Sequence, residues 1–166
     1  MRLIVSNTGP LISLEKLENG FQFIRKLYDR ILIPESVLNE ATYHFSRPDL
    51  YLSIYGISDL IEVHSLKSTT PKLPVFTNLH TGETEAIQLA LELKLPLLIE
   101  EDDGRKVAEE AGLEISGIAG QILRAFRFQL ISNPEAREML RALFDTKRLD
   151  GRTFQILLKS LAENLS

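Results

Sequence analysis

The sequence predicts an α/β protein in which a mostly parallel central sheet lies between two layers of helices, a three-layer sandwich. Short apolar runs that end in turn residues alternate with longer segments whose apolar residues recur at helical spacing. Repeated strand-then-helix units of this kind form parallel sheets covered on both faces. The 166 residues suffice for one hydrophobic core, and no repeat or linker divides them, so we expect a single domain over residues 1–166.

Turn residues and helix breakers set the boundaries of the elements. Gly9-Pro10 follows the first apolar run, Asn19-Gly20 ends the first helix, and Pro34 begins a later one. The predicted strands are residues 3–5, 31–33, 60–63, 97–99 and 113–115. The predicted helices are residues 11–17, 21–28, 35–41, 82–93, 104–111, 117–128, 134–144 and 151–163. In the irregular stretch 45–76 we expect loops and a short helix besides the strand.

The amino-acid composition excludes or disfavours several classes of function. The chain has 23 acidic and 19 basic residues, a net charge of -4, which argues against nucleic-acid binding driven by an overall cationic surface. The charge is uneven, because residues 1–120 carry a net −7 and residues 121–166 a net +3. No cysteine is present, which excludes disulfides, thiolate nucleophiles and cysteine-ligated zinc. Because the sequence shows no signal peptide or transmembrane stretch, we expect a cytoplasmic protein without a membrane partner.

Acidic and amide side chains follow the predicted strands where each strand ends. Asn7 comes directly after the first strand, Glu40 lies in the helix after the second, and residues 100–103 are Glu-Glu-Asp-Asp after the fourth. Glu83 lies near the start of the helix that precedes the fourth strand. Ligands of open parallel sheets bind beyond the carboxyl ends of the strands, so we expect these side chains to converge there.

Among these candidate ligands, Glu83 has the least usual position in its helix. At about 100° per residue it lies near the centre of the apolar arc of its helix, whereas Glu85 lies on the opposite face. A carboxylate on the core side is destabilising unless it is paired, capped or bound to a cation. Simpler interpretations remain open. In these, the negative charge of Glu83 stabilises the amino terminus of its helix, Glu40 is a solvated helix residue and Asn7 is a turn residue. At least two of the acids at 100–103 have the alternative role of capping the next helix.

Together these side chains suit a hard divalent cation. Carboxylate and amide oxygens are the ligands that Mg²⁺ and Mn²⁺ prefer. Such an ion activates water and stabilises the charge that develops on a phosphodiester. Without a cation the cluster repels itself and some of its carboxylate pKa values rise. The residues therefore predict a Mg²⁺ or Mn²⁺ site.

Four blocks of sequence, in order along nearly the whole chain, resemble those of PIN-domain proteins. The first, residues 5–14, is similar to an opening Asp-Thr-Ser-Pro-Leu-Ile-x-Leu pattern. The second is Ile-Pro-x-x-Val-x-x-Glu at 33–40, and the third is Gly-Glu-x-x-Ala-Ile-x-Leu-Ala at 82–90. The fourth is Leu-Ile-Glu-Glu-x-x-Gly-Arg-x-x-Ala at 98–108, continued by the glycine-containing segment 112–120. Four ordered blocks are far more specific than any one of them.

The resemblance implies an activity, a cofactor and a site. PIN domains of this kind look like the VapC-type toxins of prokaryotic toxin-antitoxin pairs, which are Mg²⁺- or Mn²⁺-dependent endoribonucleases. It therefore implies an RNA substrate, an antitoxin protein as partner, and a homodimer. By the same resemblance Thr8 orients Asn7. The resemblance also implies the site residues: the catalytic residues are Glu40, Glu83, Glu100 and Glu101, and together with Asn7 they hold the metal.

Two positions depart from the family pattern. Asn7 stands where an aspartate is usual, and an amide supplies an oxygen without a charge, so the affinity for metal falls. Glu100 and Glu101 stand where Asp-Asp is usual, and the extra methylene moves each carboxylate outward. Two hypotheses follow: an endoribonuclease weakened at Asn7, and an inactive PIN-fold protein that binds RNA or a protein partner. A receiver-like or nucleotide-binding module is disfavoured, because no Gly-rich phosphate loop follows the first strand.

Basic residues after the acids are candidates for contact with substrate phosphates. The candidates are Arg105, Lys106, Arg124 and Arg127. Their alternative role is that of surface residues on amphipathic helices. His44, His64 and His80 fall in irregular stretches, and we assign none of them as a general base.

Overall fold

The computed structural model describes residues 1–67 and 79–163. The described strands are β1 Leu3–Ser6, β2 Arg30–Ile33, β3 Ile61–Val63, β4 Leu97–Leu98 and β5 Ile115–Ser116. The described helices are α1 Thr8–Glu15, α2 Gly20–Ile24, α3 Glu35–Ala41, α4 Tyr51–Ile54, α5 Thr81–Leu93, α6 Asp102–Glu110, α7 Ile118–Arg127, α8 Asn133–Asp145 and α9 Gly151–Glu163. A 3₁₀ turn at Pro48–Leu50 precedes α4. None of the helices in these two ranges is long and apolar enough to cross a lipid bilayer.

The described strands form one parallel sheet in the order β3-β2-β1-β4-β5. On one side of β1 the register pairs Ile4 with Ile31, and Ile31 in turn pairs with Ile61. On the other side it pairs Val5 with Leu97, and β4 continues the sheet to β5. β1 is therefore the central strand, and the chain visits one half of the sheet before it crosses to the other.

Both faces of this sheet are covered. Successive residues of a strand point to opposite faces, and the adjacent pairs Ile4-Val5 and Ile31-Leu32 are all buried. Each such side chain contributes about 1.5–3 kcal/mol when it is fully removed from water. Helices therefore pack on each side of the sheet, which makes three layers. The predicted α/β fold with a mostly parallel sheet is confirmed, and each pairing among the described strands is parallel.

The last two helices follow their predicted ranges closely. α8 begins with a capping box, in which Ser132 Oγ accepts from Glu135 N at 3.2 Å and Glu135 Oε1 accepts from Ser132 N at 3.3 Å. α8 packs against α7 and α9 and places Leu140 in the core. Phe128 and Phe144, in contrast, remain exposed.

Several boundaries differ from those predicted. α1 begins earlier, at Thr8, because Pro10 is compatible with the first turn of a helix, where a missing N–H leaves no bond unmade. β5 begins later because Leu113 belongs to the turn that ends α6, where its N–H donates to Ala108 O at 3.0 Å. The end of the irregular stretch, residues 68–76, lies outside the described residues.

Candidate metal centre

The strand order places a crevice at the carboxyl ends of β1 and β4. The chain passes from β1 to β2 on one side, whereas β4 pairs with β1 on the other. Ligands of open α/β sheets bind at this kind of switch point. Asn7 N donates to Leu98 O at 3.0 Å, which holds the residues after β1 beside those after β4. The first and fourth sequence blocks therefore meet at this edge.

Glu40, near the end of α3, is oriented toward this edge by two donors. Thr8 Oγ1 donates to its Oε2 at 2.6 Å, and Gly82 N donates to its Oε1 at 3.1 Å. A Cβ at position 82 would lie 2.5 Å from Glu40 Oε1, so a larger residue there would displace the Glu40 carboxylate from this hydrogen bond. The Thr8 hydroxyl, predicted to orient Asn7, thus donates to Glu40.

Glu83, in the first turn of α5, is a buried carboxylate. Its side chain is 3% exposed, and its Oε2 has no hydrogen-bond partner within the described part of the chain. Burial, a hydrogen bond with the Glu101 side chain and the charges of Glu101, Glu40 and Asp103 together raise the pKa of Glu83 to about 8. The helical arc predicted this buried position.

Glu101 and His80 lie beside Glu83. One ligand atom from each of these three residues can be chosen so that all lie within 4.8 Å of one another. Glu101 occupies the N-cap position of α6, but its carboxylate makes no capping hydrogen bond and instead acts on Glu83. We call Glu40, Glu83 and Glu101 the acidic cluster.

His80 was missed by the sequence analysis, which placed it in an irregular stretch. In the structure it is the N-cap residue of α5. Residues three apart at the start of a helix lie on the same face. The spacing between His80 and Glu83 could therefore have indicated from the sequence that the two side chains are neighbours.

Asn7 is a second buried polar side chain at this edge. It is 2% exposed, and its Oδ1 has no hydrogen-bond partner among the residues described. It occupies the N-cap position of α1 without making a capping hydrogen bond, so a turn or cap role does not account for the amide. A buried oxygen left without a donor costs about 1–3 kcal/mol, which a ligand at the site would recover.

Glu100 differs from Glu101 in its surroundings. Its Oε1 accepts from Ser13 Oγ at 2.7 Å and from Arg148 at 3.2 Å, and its Oε2 accepts from Ile118 N at 3.0 Å. Both oxygens are therefore engaged by donors of α1, of α7 and of the turn between α8 and α9, and the ion pair with Arg148 also compensates the charge of Glu100. The structure does not bring Glu100 into the group formed by Glu83 and its neighbours, and its assignment as a metal ligand stays a prediction.

The four basic candidates differ in what they contact. Arg105 donates to a backbone carbonyl just after β4 at 2.8 Å, so part of its guanidinium is committed to the fold. Arg124 donates to Tyr28 Oη at 3.2 Å. Lys106 and Arg127 are exposed. Lys106 lies on α6 shortly after the acidic run 100–103, whereas Arg127 lies at the end of α7.

The donor set at the crevice fits a divalent cation. Asn7 Oδ1 and Glu83 Oε2 are buried oxygens without a hydrogen-bond partner in the described ranges, and both are good ligands for a hard ion. Carboxylates crowded closely enough to raise the pKa of Glu83 are stabilised when a cation lies among them. The geometry groups His80, Glu83 and Glu101 as residues able to hold it, whereas the assignments of Asn7 and Glu40 as ligands stay predictions.

Comparison with known proteins agrees with this geometry. A family model described as PIN domain matches residues 3–163, nearly the whole chain. The chain belongs to the PIN-domain family. PIN domains are typically metal-dependent nucleases, and the acidic cluster of this member lies where the fold exposes the carboxyl ends of its strands.

A solved structure supports the same fold. A PilT N-terminus domain protein from the hyperthermophilic archaeon Sulfolobus solfataricus P2 superposes with a TM-score of 0.52 at 23% identity, covering 70% of this chain and 87% of that one. At this identity the similarity shows the fold alone. No curated protein matches the chain.

Proposed function

We propose that this PIN-domain protein is a divalent-metal-dependent endoribonuclease whose cation is held by the acidic cluster. The observation that carries the proposal is Glu83, a carboxylate 3% exposed whose Oε2 lacks a hydrogen-bond partner in the described chain. Burial raises its pKa, and Glu101 and Glu40 raise it further rather than compensate its charge. Strongly perturbed carboxylates in a crevice are candidates for function, and a divalent cation removes the repulsion among these three.

The residues of the crevice have separate tasks in this site. Glu40 is held in place by Thr8 and Gly82, so its carboxylate needs little reorganisation when a cation binds. Glu83 supplies a rigid, buried oxygen, and Asn7 a neutral one. A divalent cation bound there lowers the pKa of the attacking water and offsets the charge that develops on the phosphodiester.

The substrate and the partners in this proposal rest on the resemblance to VapC-type toxins. We infer an RNA substrate, an antitoxin as protein partner, and a cytoplasmic location. Lys106 is the exposed cation nearest in sequence to the acids, and Arg127 extends the basic part of the chain. The exposed side chains of Phe128, Phe144 and Ile156 offer apolar surface for a homodimer or for the antitoxin.

Cleavage assays with single-stranded and structured RNA test the proposal. The wild-type protein should cleave with Mn²⁺ or Mg²⁺ and stop when EDTA is added. Glu83→Gln and Glu101→Gln each replace a carboxylate that would bind the cation by a neutral amide, and should lower the rate by about 100-fold or more. Glu109→Gln, at an exposed position later on α6, is the matched control and should cleave at the wild-type rate. Cleavage that persists in EDTA, or in Glu83→Gln, contradicts the proposal.

A second candidate function is favoured by Asn7. With an amide in place of the usual aspartate, the site has one charge fewer, which favours a PIN-fold protein that binds RNA or a partner without cleaving. Asn7→Asp discriminates between the candidates. If the site is only weakened, the added charge raises metal-dependent cleavage; an inert Asn7→Asp variant that still binds RNA in EDTA favours the binding protein.

A further inference from the structure

We propose that His80 is a nitrogen ligand of the cation, and that it makes the site prefer Mn²⁺ to Mg²⁺. The inference rests on the proposed function and deepens it by naming the ion. It begins from the grouping of His80 with Glu83 and Glu101, in which one ligand atom of each lies within 4.8 Å of the others.

The backbone of His80 is well placed for this role. Its carbonyl oxygen accepts from Thr84 N at 3.1 Å and from Thr84 Oγ1 at 3.2 Å, which fixes its main chain at the start of α5. The imidazole, in contrast, is exposed to solvent. Rotation about the side-chain bonds can therefore adjust the ring without disturbing the helix.

The distances allow a common cation. Two atoms that each lie about 2.1 Å from one ion can be up to about 4.2 Å apart. The group is spread over 4.8 Å, so a contraction of roughly half an ångström brings His80, Glu83 and Glu101 to one ion. Movements of this size need only small changes in side-chain torsion.

A second observation points to a ligand among these residues. Glu83 is 3% exposed, and its Oε2 lacks a hydrogen-bond partner in the described ranges. An oxygen that is both buried and unpartnered is destabilising unless a donor or a cation meets it. His80 offers a nitrogen ligand in a group that otherwise consists of carboxylates, so it adds a ligand without adding a negative charge.

The donor types decide the preferred metal. Mg²⁺ favours oxygen ligands in a strict octahedron and keeps much of its water. An imidazole nitrogen suits first-row transition metals better, while the carboxylates of Glu83 and Glu101 keep the set predominantly hard. Mn²⁺ accepts both kinds of ligand, so the mixed set favours it over Mg²⁺.

Binding measurements on the purified protein test the inference without relying on activity. Calorimetric titration should show tighter binding of Mn²⁺ than of Mg²⁺ to the wild-type protein. His80→Gln should lower the affinity for Mn²⁺ by about tenfold or more and leave Mg²⁺ binding nearly unchanged. His64→Gln, which alters a histidine paired with Glu62 at 2.9 Å, is the control and should retain wild-type binding of both ions.

Pulsed electron paramagnetic resonance of bound Mn²⁺ reports the ligand directly. The wild-type complex should show ¹⁴N modulation from the imidazole, and His80→Gln should lose it. His80→Asp replaces the nitrogen with an oxygen donor, so it should keep metal binding and shift the preference toward Mg²⁺.

The outcomes separate this inference from the proposed function. Mn²⁺ binding with no ¹⁴N modulation and with equal affinity in His80→Gln overturns the role of His80 and leaves the acidic cluster as the metal site. Failure of both ions to bind the folded wild-type protein overturns the proposed site and this inference together. Thermal melting of each variant establishes that it is folded before it is titrated.

Discussion

Replacing Glu83 by glutamine should remove a large part of the pH dependence of stability of the metal-free protein. In the folded protein burial and the facing carboxylates raise the pKa of Glu83 to about 8, from 4.5 for an exposed glutamate. Between these two pH values the folded protein holds a proton on Glu83 that the unfolded chain has lost. The free energy of unfolding therefore falls as the pH rises through this interval.

The size of the effect follows from the number of protons. One proton held only by the folded state changes the free energy of unfolding by about 1.4 kcal/mol per pH unit. Between about pH 5.5 and about pH 7.5 the contribution of Glu83 is then about 2 kcal/mol, allowing for partial ionisation at both ends. Glu83→Gln has no proton to lose, so it should be more stable than the wild-type protein at the higher pH.

Urea unfolding in EDTA, followed by circular dichroism at both pH values, measures this difference. Glu85→Gln is the matched control, because Glu85 lies on the same helix and accepts from Ser36 Oγ at 3.0 Å. The control should retain the wild-type fall in stability, whereas Glu83→Gln should lose about 2 kcal/mol of it. If the free energy of unfolding of all three proteins falls equally between the two pH values, the pKa of Glu83 is not raised in the folded protein. The physical argument for a cation is then weaker.

Three further substitutions test other parts of the structure. Gly20→Ala places a Cβ against the carbonyl oxygen of Leu14 in α1 and should cost more than about 2 kcal/mol in a thermal melt. Gly120→Ala, whose added Cβ has its nearest neighbour at 3.8 Å, should be neutral or slightly stabilising. Arg148→Lys keeps the charge but loses the fork that donates to α1 and Glu100, so it should lower stability by about 1–2 kcal/mol; an unchanged melting temperature refutes this anchoring role. Asn7→Asp should destabilise the metal-free protein and raise Mn²⁺ affinity in calorimetry, and a fall in affinity would place Asn7 outside the site.

Much of the fold could be predicted because it depends on local periodicity. The run Leu3-Ile4-Val5 is apolar at every position, which is the pattern of a strand covered on both faces. The helix from Thr81 to Leu93 shows an apolar arc that identifies its buried side. Boundaries were less predictable where a turn competes with a strand, as at Leu113, since the hydrogen bond that decides the competition joins residues across that turn.

In the candidate site, too, one residue could be predicted from the sequence and another could not. Glu83 could be identified from its sequence position, because its helix alone determines that it faces the core. The choice between Glu100 and Glu101 could not, since the two are adjacent and chemically identical. Ser13 and Arg148, distant in the chain, engage Glu100 by hydrogen bonding and leave Glu101 to face Glu83.

The sequence by itself determined the class of fold, the acidic character of the strand ends and the exceptional position of Glu83, because these depend on residue type and on spacing within single elements. Only the tertiary structure decided that Thr8 orients Glu40, that Glu100 is engaged elsewhere and that His80 joins Glu83 and Glu101. The physical reason is that hydrogen bonds and electrostatic repulsion act over a few ångströms in space. Which atoms come that close is decided by how helices and strands from distant parts of the chain pack around one crevice.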